Sequence, residues 1–167
     1  DALINSQMID EIHVSTDCPK ISKTIRNSYR EIIIFSRSNK HATDCSSSEN
    51  AIIEFIDCND FDSKTTFIFA QSTSPLTTCN DVIGAINSFE GSDFDSVLSV
   101  VRQKRFIWSK DGKPLNYDFY KRPRRQEFDG FFVENGALYI STVGQILEYK
   151  SRISGKIGIF EMADETY

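Results

Sequence analysis

Glycine is missing from the first half of this 167-residue sequence. There are 8 glycines, and the first is Gly84. A glycine-rich loop of the kind that wraps phosphates is therefore excluded from everything before that position. Cysteine is sparse: Cys18, Cys45, Cys58 and Cys79 form no CxxC pair and have no histidine pair at zinc spacing beside them. That pattern argues against a structural zinc site and for free thiols in a reducing compartment. Only His13 and His41 carry imidazoles, and His13, set among strand residues, reads as a packed ring rather than a base.

Long apolar runs are missing too. None approaches the roughly 18 residues that span a bilayer; the longest, Ile32–Phe35, reads as a buried strand. The opening Asp1-Ala2-Leu3 has no basic or apolar stretch of a secretory signal. It has no initiating Met either, and residues 1–9 (DALINSQMI) read as the second half of an amphipathic helix. The sequence thus reads as a piece of a larger fold.

The balance that is present, 40% hydrophobic and 26% charged, is that of a soluble globular chain, and the length suits one domain, residues 1–167. A net charge of -5 argues against a general nucleic-acid binder, which needs a basic face.

Hydrophobic periodicity predicts strands at Glu11–Ser15, Glu31–Phe35, Thr65–Ala70 and Ser96–Val101. Helices are predicted at Lys20–Ser28, Ser48–Asp57 with Ser47 or Ser48 as cap, and Thr78–Phe89. Such alternation, with β-branched strands, predicts a mostly parallel sheet with helices on both faces. Short strands at Arg105–Trp108 and Leu138–Ile140 flank a basic loop, Lys113–Gln126. A helix at Val143–Tyr149 and a strand at Lys156–Glu161 follow.

Ligands of parallel sheets sit at the carboxyl ends of the strands. That singles out Ser15-Thr16-Asp17, Ser36-Arg37-Ser38 and Gln71-Ser72-Thr73-Ser74, polar loops suited to a polyhydroxylated or phosphorylated ligand. Gln71 offers a donor and an acceptor there. Pro75 pre-sets the following backbone, with Ser74 or Thr73 able to cap the helix. Arg37, with Asp44, Cys45, Ser46 and Ser48 downstream, reads either as an anion site or as ordinary capping. Lys121-Arg122-Pro123-Arg124-Arg125-Gln126 packs four cations into five residues. Arginine's planar fork suits phosphate and carboxylate; a solvated loop and a nuclear-import signal stay open beside that reading.

In order and spacing these segments resemble the CMP-sialic acid synthetases (N-acylneuraminate cytidylyltransferases). The resemblance is carried by Val14-Ser15-Thr16-Asp17, Arg37, Ser46-Ser47-Ser48 and Gln71-Ser72-Thr73-Ser74-Pro75-Leu76. Phe94-Asp95-Ser96-Val97, Ser99-Val100-Val101 and Phe106-Ile107-Trp108-Ser109 continue it. Lys121–Gly130 and Glu134-Asn135-Gly136-Ala137-Leu138-Tyr139 complete it, in a form most like the animal enzymes. Enzymes that activate 3-deoxy-manno-octulosonate share the fold but not this combination.

The resemblance implies a Rossmann-like α/β nucleotidyltransferase, homodimeric, that joins CTP and a sialic acid with Mg2+ and releases pyrophosphate. It implies Arg124 as the catalytic arginine, Arg37, Ser46 and Ser48 on the nucleotide side, and Gln71, Arg125, Gln126 and Tyr139 on the sugar side. Residues from about 140 to 160 become a dimerisation element. The implied setting is intracellular, nuclear in an animal through an importer reading Lys121–Arg125, cytoplasmic in a bacterium; no membrane or nucleic-acid partner is implied.

Two family features are not in the sequence: the opening Gly-rich loop that wraps CTP, and a DIDxxxD-like segment that holds magnesium. Asp164 and Glu165 are not promoted to metal ligands, and Ile107 stands near where a basic residue is expected. The isolated 167 residues are accordingly expected to be inactive. The rival expectations are a truncated, non-catalytic module that dimerises or binds sugar, or a 3-deoxy-manno-octulosonate cytidylyltransferase.

Overall fold

The computed structural model describes residues 1–38, 40 and 46–163. His41, Asp44 and Cys45, and Asp164 and Glu165 at the other end, lie outside the described residues. The chain runs α1 (Ala2–Ser6), β1 (Ile12–Thr16), α2 (Pro19–Ser28), β2 (Ile32–Ser36), α3 (Ser48–Asp57), β3 (Thr66–Ala70), α4 (Cys79–Glu90), β4 (Ser96–Gln103), a 3-10 turn (Phe119–Lys121), β5 (Phe131–Thr142), α5 (Val143–Tyr149) and β6 (Ile157–Met162).

Local chemistry sets the helix starts. Ser47 Oγ accepts from Asn50 N at 3.2 Å to open α3, and Thr142 Oγ1 accepts from Gln145 N to open α5. Thr78 and Asp81 form a reciprocal capping box at the start of α4, which satisfies two otherwise orphaned backbone donors. The cap of α4 is therefore Thr78 rather than Ser74 or Thr73. Ser74 lies in an earlier turn, donating its amide to Gln71 O.

β1 and β2 form a parallel pair, and a four-stranded sheet has the order β3-β5-β4-β6. β3 and β4 are each antiparallel to β5, and β6 is parallel to β4. Strands β3, β4 and β6 thus share one direction and β5 alone is reversed. The α/β class holds, and so does the mostly parallel strand direction; the one reversed strand, β5, follows from the chain returning to the sheet after residues 104–130 without a crossover helix.

Two further expectations are corrected. Arg105–Trp108 is not a strand; its only bridge is Trp108 with Pro114. Ile32–Phe35 does form a strand, but with Ile33 45% exposed it is not buried on both faces; among the described residues β2 pairs with β1 alone.

Helices cover both faces of the larger sheet. On one, Val82, Ala85 and Ile86 of α4, at helical spacing, pack on Val97, Val101, Leu138 and Ile140, joined by Ala2 and Leu3 of α1. On the other, Ile52, Phe55 and Ile56 of α3 meet Val143 and Ile146 of α5 and Phe67 and Phe69 of β3. Phe55 also stacks edge-on with Phe35 and His13, which ties the β1–β2 pair to the rest of the molecule. His13 is the packed ring expected of it, bonded to Glu11. The described cysteines, Cys18, Cys58 and Cys79, are free thiols.

Candidate active site

Because β1 and β2 run parallel, their carboxyl ends meet. Arg37, just past β2, donates through Nε to Ser15 Oγ at 3.2 Å and through a terminal nitrogen to Ser15 O at 3.0 Å. Beside it a cavity of about 410 Å³ opens between these strand ends and α2, lined by Thr16, Asp17, Lys23, Arg26 and Arg37 among others. Three cations face one carboxylate there, which favours an anionic occupant. Lys23 and Arg26 escaped the sequence reading. Their three-residue spacing on an otherwise unburied helix was the available signal, since it puts both on one helix face.

Ser48 is the first residue of α3, and Ser46 Oγ reaches Lys40 O at 3.4 Å just before it. Glu49, in the same turn, pairs with Arg152 Nε at 3.4 Å.

Gln71 leaves β3 with its amide bonded to Ala137 O at 3.1 Å. An added Cβ on Gly136 would stand 2.8 Å from Gln71 Oε1, so the Gln71 side chain lies directly over that glycine. Ser74 Oγ reaches Asn135 O at 3.5 Å. The Gln71–Ser74 loop and the Asn135-Gly136 segment, 61 residues apart, are therefore one surface.

That surface rests on a large bulge. Leu98 pairs with Tyr139 and Val100 with Glu134, so Ser99 alone opposes residues 135–138. Ser99 Oγ donates to Asn135 Oδ1 at 2.6 Å and accepts from Leu138 N at 2.8 Å. Asn135 Oδ1 also accepts from Ala137 N, and Gly136 adopts φ +73, a left-handed conformation natural to glycine. Asn135 thus has a structural job the motif alone did not reveal.

Tyr139, 3% exposed, donates its hydroxyl to Glu134 Oε1. Its ring lies 4.4 Å from the Arg152 guanidinium carbon and 6.1 Å from the Phe69 ring. Burial, then the bond to Glu134, pushes the phenol up to about 12. Tyr139 is consequently a proton holder at ordinary pH, not a base. Arg152 and Glu49 were not singled out from sequence, where neither stands in a motif.

Arg124, Arg125 and Gln126 sit in an exposed turn, closed by Glu127 N and Phe128 N bonding to Arg124 O. Among the described residues their side chains have no hydrogen-bond or ion-pair partner. Arg122 differs: it lies over the Phe106 ring at 4.4 Å, a cation–π contact that anchors the loop. The structure thus joins Gln71 to the Tyr139 strand and brings Arg37 to Ser15, but it does not bring Arg124–Gln126 into contact with either. No group of three or more His, Cys, Asp or Glu among the described residues is arranged to hold a metal ion.

The doubly covered sheet with polar loops at its strand ends is a Rossmann-like α/β fold. The same fold occurs in the 4-diphosphocytidyl-2C-methyl-D-erythritol synthase of Anaerococcus prevotii, which matches all of this chain and 78% of that one with TM-score 0.69 at 15% identity. In sequence, the chain is related across nearly its whole length to the N-acylneuraminate cytidylyltransferases. The Oncorhynchus mykiss protein of that name is 33% identical over 171 residues, 98% of this chain and 38% of its own. The Streptococcus agalactiae protein of the same name is 28% identical over 99% of this chain and 41% of its own. The chain thus spans about two fifths of the length of these relatives, and no family model matches it.

Proposed function

We propose that this chain is the sugar-binding and part of the nucleotide-binding portion of an N-acylneuraminate cytidylyltransferase. In the reaction, the anomeric hydroxyl of the sialic acid attacks the α-phosphorus of CTP. A carbon–oxygen–phosphorus link forms, the bond to the β-phosphate breaks, pyrophosphate leaves and the hydroxyl proton is lost to base or solvent. The observation that carries the reading is the docking of the Gln71–Ser74 loop on Asn135-Gly136, a polar surface suited to a polyhydroxylated ligand.

Arg37, Ser46 and Ser48 are assigned to the nucleotide, Gln71, Arg125, Gln126 and Tyr139 to the sugar, and Arg124 to stabilising charge as the phosphate bond breaks. The exposure of Arg124 without a partner among the described residues supports that assignment, since a guanidinium already paired would have nothing to offer. A bound magnesium ion would add charge neutralisation at the phosphates, with its ligands outside the described residues. The protein is further proposed to act as a homodimer that uses residues from about 140 to 160, where Tyr149, Ile157 and Ile159 are about half exposed. The exposed Lys121–Arg125 run is compatible with an importer.

The test is transfer of labelled CMP from CTP to N-acetylneuraminate. The full-length protein is expected to form the product, and Arg124→Ala to lower turnover by orders of magnitude. Near-wild-type turnover in that variant would remove Arg124 from the chemistry. The 167 residues alone are expected to give no product.

A further inference from the structure

Glu134 and Tyr139 are five residues apart on β5. In an unbroken strand they would point to opposite faces, about 17 Å from each other. Instead the Tyr139 hydroxyl donates to Glu134 Oε1, and it is the bulge at residues 135–138 that folds the strand so the two meet. An interruption of this size costs ladder hydrogen bonds in the middle of a sheet, and bulges of this kind re-aim side chains. Ser99, Asn135 and Gly136 all hold it in place. What it delivers is an exposed carboxylate seated on a buried phenol.

The phenol is well fixed. Its ring is held by the Arg152 guanidinium at 4.4 Å and by Phe69, and Arg152 is tethered to Glu49. Its hydroxyl stays protonated through the ordinary pH range and so remains a donor to Glu134. The second Glu134 oxygen has no partner among the described residues. Next to it in the chain, Asn135 O and Gly136 carry the contacts of Ser74 and Gln71.

We propose that Glu134 is a ligand-binding residue of the Gln71 surface, accepting hydrogen bonds from the hydroxyls of a polyol, and that buried Tyr139 serves the sugar side assigned to it above as the positioning residue of Glu134 rather than as a direct contact. The inference deepens the sugar-side reading above and rests on it. An ionised carboxylate is acceptor-only and suits adjacent hydroxyls. It repels another carboxylate, so Glu134 takes the hydroxylated end of an acidic sugar rather than its acid group.

The experiment measures N-acetylneuraminate and CTP affinity for the chain and its Glu134→Gln, Tyr139→Phe and double variants, by calorimetry, with melting curves as a control on folding. Glu134→Gln is expected to weaken sugar binding about tenfold, the scale of a lost charged hydrogen bond, with CTP affinity unmoved. Tyr139→Phe is expected to weaken it less, and the double variant no more than Glu134→Gln, because the phenol acts only through the carboxylate. Ultraviolet titration adds a second readout: in Glu134→Gln the late-ionising tyrosine should move down toward the usual phenol range. A wild-type chain that binds the sugar while Glu134→Gln binds it equally well overturns the proposal alone. A wild-type chain that binds no sugar overturns the sugar-side reading and this inference with it. If Tyr139→Phe fails to fold, Glu134→Gln, at an exposed position, still decides.

Discussion

Replacing Ser99 with alanine should cost far more than the loss of one small hydroxyl suggests. Ser99 Oγ is both the donor to Asn135 Oδ1 and the acceptor for Leu138 N, and Leu138 is 1% exposed. Water cannot replace the lost partner of that amide. A stranded buried N–H costs about 1–3 kcal/mol and the Ser–Asn bond contributes about 1 more, so the variant should lose about 3 kcal/mol. For a chain of this size that corresponds to a melting point lower by roughly 6–12 °C. Urea unfolding measures the loss, and hydrogen exchange reports directly on the Leu138 amide, which should lose protection ahead of its neighbours. A loss below about 0.5 kcal/mol, the range of inert substitutions, with the Leu138 amide as protected as before, would show that Ser99 does not hold the bulge.

Two other perturbations follow from the geometry. Gly155 has φ +64, and an added Cβ would lie 2.2 Å from Asp95 Oδ2, the acceptor for Lys156 N. Gly155→Ala should therefore cost at least about 1 kcal/mol more than Gly112→Ala, whose φ is similar but whose Cβ would meet nothing; equal losses by urea unfolding would contradict this. Tyr139 holds its proton more tightly folded than unfolded. The stability it contributes is then complete below pH 10 and is lost as the pH rises from 10 to about 12. Unfolding across that range should show a steeper decline in wild type than in Tyr139→Phe; parallel declines would count against the buried phenol.

The helices and most strands were legible because their periodicity and caps are local. Ser47 before α3 and the apolar spacing of α4 needed no tertiary information. The reversed direction of β5 was not legible, since strand direction is fixed by how the chain returns after residues 104–130, not by strand composition. Arg105–Trp108 has the apolar content of a strand, yet its neighbours in space are the aromatic rings of Tyr117 and Phe119 rather than a sheet edge. For the site, Gln71 and Glu134-Asn135-Gly136 stood out as motifs, but their meeting depends on the bulge. Ser99, the residue that builds it, looks like any strand serine. Arg152 was invisible for the same reason: Glu49 lies 103 residues before it in the chain and Tyr139 lies 13 before it.

The central claim is that the Gln71 loop and the bulged strand form the binding surface for an N-acylneuraminate. Its most direct test is a nuclear magnetic resonance titration of the 167-residue chain with N-acetylneuraminate. Saturable shifts are expected at the amides of Gln71, Ser74, Asn135 and Gly136, with weaker effects along α4 and β6. Shifts confined to other surfaces, or none at saturating sugar, would contradict the account.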